Sequence, residues 1–261
     1  MSEHTEYTPG TFNWVDLATS DTEAAKGFYS EVFGWSFEDV PVGDAGVYSL
    51  ASVREREVAG LFEKGPEQEA VPPHWNSYVA VASADEAAAK ASSLRGTLMA
   101  EPFDVMEAGR MAMVMDPGGA VVALWEARQH AGAGLVNEHG ALCWNELCTR
   151  DTAKAAEFYT GLFGWTAEEE EMSMGQYTMF KNDGNFNGGM MEIPEDWGDV
   201  PLHWTAYFAV DDCDGAVSTA TSNGGNVVMG PMDLPEVGRI ATLSDPQGAT
   251  FAVIQLANQP E

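Results

Sequence analysis

The chain has 261 residues, 45% of them hydrophobic and 20% charged, with 12 Lys and Arg against 41 Asp and Glu and a net charge of -29. This is the composition of a folded globular protein and a length suited to two domains; its acidity argues against nucleic acid and anionic membranes as partners. Three cysteines without C-x-x-C spacing, the acidic polar start MSEHTEYTPGT and the lack of a long apolar run predict a cytoplasmic protein with no leader and no membrane span.

From Trp14 the segment WVDLAT alternates, with Trp14, Asp16 and Ala18 on one face and Val15, Leu17 and Thr19 on the other, which predicts a strand. Asp21 is placed to cap a helix whose apolar stripe is Ala25, Phe28, Tyr29, Val32 and Phe33 and whose stop is Gly34. The octamer FYSEVFGW at Phe28–Trp35 is thus the end of a helix, and its aromatic rings are expected to pack that helix on a sheet rather than touch a ligand. Short strands at Ser36–Val40, Val47–Ser52 and Val58–Phe62 complete a βαβββ module. A second module opens with HWNSYVAV at His74–Val81, continues through an alanine-rich helix over Asp85–Leu94, and ends in GRMAMVMDPGGAVVALWEA from Gly109. There Asp-Pro-x-Gly joins two alternating runs as a hairpin turn. The glycine-rich RQHAGAGLVNE, Arg128–Glu138, marks a boundary between domains of residues 1–130 and 131–261.

The second half repeats the first. WNELCTRDTAKAAEFYTGLFGW from Trp144 keeps the Trp, the Asp-Thr, the Phe-Tyr and the closing Phe-Gly-Trp of its counterpart. Strands near Thr166–Met172, Tyr177–Lys181 and Gly188–Glu192 follow, then HWTAYFAV at His203–Val210, a helix over Asp214–Ser222 and GRIATLSDPQGATFAVIQLA from Gly238. The fold expected is α+β, a tandem duplication carrying four βαβββ modules.

Paired βαβββ modules, the D-x-x-x-A-x-x-FY-x-x-x-FGW helix after a short strand and the D-P-x-G hairpin closing each half together resemble the vicinal oxygen chelate superfamily of glyoxalase I, extradiol dioxygenases, fosfomycin-modifying enzymes and bleomycin-resistance proteins. The FYxxxFGW and HWxxY motifs are similar to its two-domain, glyoxalase-like branch, and the resemblance covers nearly the whole chain. It implies that two modules curl into a half-barrel cup with metal ligands on the first, fifth and eighth strands. Those positions hold Trp14, Asn76 and Ala123 in the first half, and Trp144, Thr205 and Ala252 in the second. Indole and methyl groups offer an ion no lone pair, and Asn or Thr alone binds weakly. No metal and no other cofactor is therefore expected at the family's positions; His and Glu one turn away are the remaining route to an ion.

Strand parity brings other chemistry into each cup. Asp16 shares a face with Trp14, and His74 and Tyr78 share one with Asn76; Glu146, His203 and Tyr207 repeat the set beside Trp144 and Thr205. A carboxylate that orients a histidine makes a general base, with tyrosine as proton donor. The alternatives are that the histidines bond neighbouring loops and that the acids pair with Arg110 or Arg239, which equally suit a substrate carboxylate. Met99, Met106, Met111, Met113, Met115 and Trp125 suggest an adaptable apolar wall in the first cup, suited to a flat aromatic ligand or to plain core packing. Ile240, Thr242 and Ser244 replace three of those methionines in the second half, so the cups should differ. Cys148 reads as a buried, inert thiol. Two functions fit: a metal-free lyase, isomerase or hydroxylase-type enzyme acting on a small organic metabolite, or a non-catalytic drug-binding protein. Four modules can complete two cups in one chain, so a monomer or weak homodimer is expected.

Overall fold

The computed structural model describes residues 2–43, 46–172, 175–235 and 237–257. After β1 (Ser2–Glu3), the first module comprises β2 (Phe12–Thr19), α1 (Thr22–Phe33), β3 (Ser36–Pro41), β4 (Val47–Val53) and β5 (Arg56–Glu63). The second comprises β6 (His74–Ala80), α2 (Ala84–Ser93), β7 (Thr97–Val105), β8 (Gly109–Met115) and β9 (Val121–Ala127), followed by the short β10 (Leu135–Val136). The second half repeats this as β11 (Leu142–Thr149), α3 (Thr152–Phe163), β12 (Thr166–Met172), β13 (Gly175–Asn182), β14 (Asn185–Glu192), β15 (His203–Ala209), α4 (Cys213–Ser222), β16 (Asn226–Leu234), β17 (Gly238–Ser244) and β18 (Thr250–Leu256). The caps read from sequence are present: Asp21 accepts from the Ala24 N–H, Asp151 from that of Lys154, and Gly34 and Gly164 close α1 and α3 at φ 71° and 78°.

Each half forms one eight-stranded sheet, ordered β3-β4-β5-β2-β6-β9-β8-β7 in the first and β12-β13-β14-β11-β15-β18-β17-β16 in the second. Each curls into a half-barrel, cup 1 and cup 2, and its two modules join through an antiparallel pair of first strands. In β2–β6 this sets Trp14 opposite Tyr78 and Asp16 opposite Asn76. In β11–β15 it sets Trp144 opposite Tyr207 and Glu146 opposite Thr205.

The convex faces are buried in two cores that each span both halves. Phe28, Tyr29 and Phe33 of α1 share a core with Ala216 and Ala220 of α4 and with Phe208, Leu243 and Phe251. Phe158, Tyr159 and Leu162 of α3 share another with Ala88 and Ala91 of α2 and with Val114 and Leu124. The first module thus packs on the fourth and the second on the third. The repeated octamer is the clasp. Tyr29 donates to Asp245 Oδ2 at 3.2 Å and Tyr159 to Asp116 Oδ2 at 3.0 Å, each reaching the D-P-x-G turn of the other half. Trp35 donates to the Gly140 carbonyl and Trp165 to that of Gly10, both at 2.7 Å and again across the halves. The other oxygen of each aspartate holds its own turn, accepting from Gly118, Gly119 and Ala120 or from Gln247 and Ala249. Packing of the octamer's rings on a sheet was legible; that they also pack on the sheet of the opposite half was not.

The glycine-rich stretch after β9 is no open hinge. Its N–H groups at Ala133 and Gly134 donate to Asn13 O and Glu57 O, both at 2.8 Å, and β10 pairs with β1. Gly132 has φ 126°, and a Cβ there would overlap the Asn13 carbonyl. Close approach explains the glycine.

Candidate functional site

In cup 1, Asp16 is 2% exposed and held by three donors. Tyr78 and Tyr48 donate to Oδ2 at 2.7 and 3.0 Å, Asn76 to Oδ1 at 2.9 Å, and the Trp14 indole donates to the Tyr48 hydroxyl at 2.9 Å. In cup 2, Tyr207 donates to Glu146 Oε1 at 2.8 Å, Tyr177 is the carboxylate's second phenol partner, and Trp144 donates to Tyr177 at 3.0 Å. Burial raises the pKa of both carboxyls above the ordinary value, against the opposing pull of these hydrogen bonds. The phenols are raised too, first by burial and then by the neighbouring carboxylate.

Tyr48 and Tyr177 were not singled out from the sequence, although they stand at matched places on β4 and β13 in Val-Tyr-Ser and Gln-Tyr-Thr. A second signal lay on the adjoining strands. Gly60 pairs with Asp16 and Gly189 with Glu146, and a Cβ on either glycine would overlap the phenol that crosses it. The missing side chain is the channel through which the tyrosine reaches the acid.

The cups differ in what faces these acids. The stretch after β9 closes cup 1: Trp125 donates to the His130 carbonyl at 2.9 Å, His130 meets Trp14 edge-on at 4.5 Å, and Ala133 packs with Trp14, Tyr78, Met111 and Trp125. Cup 2 has Ile240 for Met111 and Ile254 for Trp125, and it holds a cavity of about 680 Å³. Trp144, Met179, Phe186, Met191, Ile240 and Ile254 line that cavity, Glu146 opens into it, and His4 and Tyr7 of the amino-terminal segment reach its mouth. Cys148, behind Glu146, is buried, and its pKa is pushed up to about 12, chiefly by burial.

Several expected contacts do not form. The ring of His74 bonds the Pro72 carbonyl at 2.9 Å and that of His203 the Pro201 carbonyl at 2.8 Å, so neither is a hydrogen-bond partner of its cup's acid. Each begins its strand, where the preceding proline loop is nearer. Arg110 forks onto Asp85 and Asp104, and Arg239 onto Asp214 and Asp233. Their strands explain it: with Met111, Met113 and Ile240 facing the cups, period-2 alternation turns Arg110 and Arg239 to the helix side. Met111, Met113 and Trp125 form the wall foreseen in cup 1, but it packs on the chain itself, and Met99 and Met106 are exposed.

The residues at the family's ligand positions do not fit a divalent ion. Trp14 and Trp144 are indole donors to tyrosine, Ala123 and Ala252 are fully buried methyl groups, Asn76 donates to Asp16, and Thr205 faces Cys148 at 4.0 Å. Among the described residues no three His, Cys, Asp or Glu side chains gather as a metal site requires, at those positions or one turn away.

Two curled sheets of paired βαβββ modules define the glyoxalase-like class of cup-forming proteins. The chain belongs to the Glyoxalase/Bleomycin resistance protein/Dioxygenase superfamily, which it matches over residues 11–124 and 141–253. It is 46% identical over 99% of its length to the "Putative glyoxylase CFP32" of Mycobacterium tuberculosis, covering 100% of that protein. It is 32% identical over 97% of its length to the anthracycline biosynthesis protein DnrV of Streptomyces peucetius, covering 95% of it. In fold it is similar to the 2,3-dioxygenase LapB from Pseudomonas sp. KL28, with TM-score 0.66, 17% identity, and 96% of this chain and 93% of that one covered. None of the described helices is long and apolar enough to cross a membrane.

Proposed function

We propose that cup 2 is the working site and that it moves a proton on a small, largely apolar organic molecule, as a lyase or isomerase does, without a metal ion. One observation carries the reading: an acid with a raised pKa, Glu146, opens into an apolar cavity of about 680 Å³ with two phenols beside it. Such an acid exchanges protons near neutral pH more readily than an exposed one, and Tyr207 or Tyr177 can donate to the charge that develops on a substrate oxygen. The relatives named for glyoxylase and anthracycline biosynthesis are consistent with small organic substrates. Both cups close within one chain, which supports a monomer or weak homodimer, and the three free thiols suit a reducing cytoplasm.

A second reading, a binder that changes no bond, is favoured by the two phenols that engage Glu146 and by the absence of a histidine relay. Incubating the protein in deuterated water with aryl ketones that bind cup 2 separates the two. The enzyme reading expects deuterium at the carbon next to the carbonyl, lost in Glu146→Gln while binding persists. Tight binding without exchange would establish the binder.

A further inference from the structure

We propose that cup 2 takes an apolar ligand bearing a protonated amine, whose N–H occupies on Glu146 the place that the Asn76 amide occupies on Asp16. This rests on the reading of cup 2 as the ligand site and narrows it to a ligand class.

The two acids act as each other's control. Asp16 has three side-chain donors, two phenols and the Asn76 amide. Glu146 keeps both phenols, but the residue across the strand pair is Thr205, whose hydroxyl lies toward Cys148 instead. A carboxylate offers about four acceptor positions, so the acid that opens into a cavity is the one that has lost its amide donor. A ligand N–H restores it.

Charge selects which donor. No Lys or Arg is among the described residues lining the cavity, whereas Glu146 and Glu192 are; His4, at the mouth, is exposed and stacked on Tyr7. An anion would meet Glu146 and Glu192 with no Lys or Arg in the lining to pair with it, so it is disfavoured against a neutral or cationic ligand. A cation gains instead from Glu146 and from the aromatic lining of Trp144 and Tyr177, the Phe186 ring already having the Lys181 ammonium 5.0 Å from its centroid. The net charge of -29 also raises the concentration of cations at the surface. An arriving ammonium would favour the ionised form of Glu146 that burial disfavours.

The test is calorimetric titration of the whole chain at pH 7.5 with three probes of one skeleton: 1-naphthylmethylamine, 1-naphthylmethanol and 1-naphthylacetate. The amine should bind about ten-fold or more tightly than the alcohol, with the acid weakest. Glu146→Gln should bring amine and alcohol to similar affinity, and salt should weaken the amine alone. If the alcohol or the acid binds wild type as tightly as the amine, the amine inference falls while cup 2 stands as a ligand site. If none of the three binds, both fall. The wild-type ranking decides the matter even if the variant folds poorly.

Discussion

Cup 1 and cup 2 are built from the same strands in the same order, and each sets an acid between two tyrosines under a tryptophan. They differ in a few side chains. Trp125 and Met111 meet the His130–Ala133 stretch and leave cup 1 filled, while Ile254 and Ile240 leave cup 2 hollow. Asn76 completes the bonding of Asp16, while Thr205 leaves Glu146 unfinished. A duplication can thus hold one copy of a polar network as a packed, satisfied core and the other as a cavity with unspent hydrogen-bonding capacity.

The largest predicted contrast is between the acids. Glu146→Gln should lower turnover about a hundred-fold or more, the usual scale for a lost general base, while Asp16→Asn should change it only a few-fold; steady-state rates on a substrate found by the exchange screen check this. Next come reciprocal swaps of the residue that fills one cup and not the other. Trp125→Ile should cost about 3 kcal/mol in urea unfolding by hollowing cup 1. Ile254→Trp should abolish binding of the naphthyl amine with a smaller change in stability, because it enters space that is already empty.

The glycines should separate the cups more finely. Gly60→Ala pushes Tyr48 against a filled interior and should cost about 1–3 kcal/mol by thermal melting. Gly189→Ala can be relieved by Tyr177 swinging into the cavity, so it should cost less and weaken ligand binding instead. The smallest effect concerns pH. Burial raises the folded-state pKa of Asp16 above an unfolded value near 3.9. Its stabilising contribution is therefore complete below that pH and is lost as pH rises through the folded value. The unfolding free energy of wild type should fall relative to Asp16→Asn as pH rises above about 4, by at most ~1.4 kcal/mol per pH unit. A difference that grows in the other direction would show Asp16 ionised more easily folded than unfolded.

Much of the fold was written locally. The Asp21 and Asp151 caps, the Gly34 and Gly164 stops and the alternation from Trp14 and Trp144 depend on neighbours in sequence, and the repeat gave each element a second witness. Parity likewise placed Asp16, Tyr78, Glu146 and Tyr207 together inside the cups. What escaped depends on distant segments. Nothing near Tyr29 announces that its hydroxyl meets Asp245, and nothing near Gly189 announces the phenol above it. His74 and His203 follow the loop-bonding alternative: parity fixes a side chain's face, whereas the Pro72 and Pro201 carbonyls fix its direction at the strand's edge. The Met and Trp wall of the first half is apolar and adaptable, yet the stretch that fills it follows the last strand and could not be located by periodicity.

The most direct measurement is a crystal structure of the whole chain soaked with 1-naphthylmethylamine. Density is expected for the ring among Trp144, Phe186 and Ile240 with its nitrogen on Glu146, and for an undisturbed His130–Ala133 segment over Asp16. Density for the ring beside Trp14 and Asp16, with that segment displaced and cup 2 empty, would contradict that expectation.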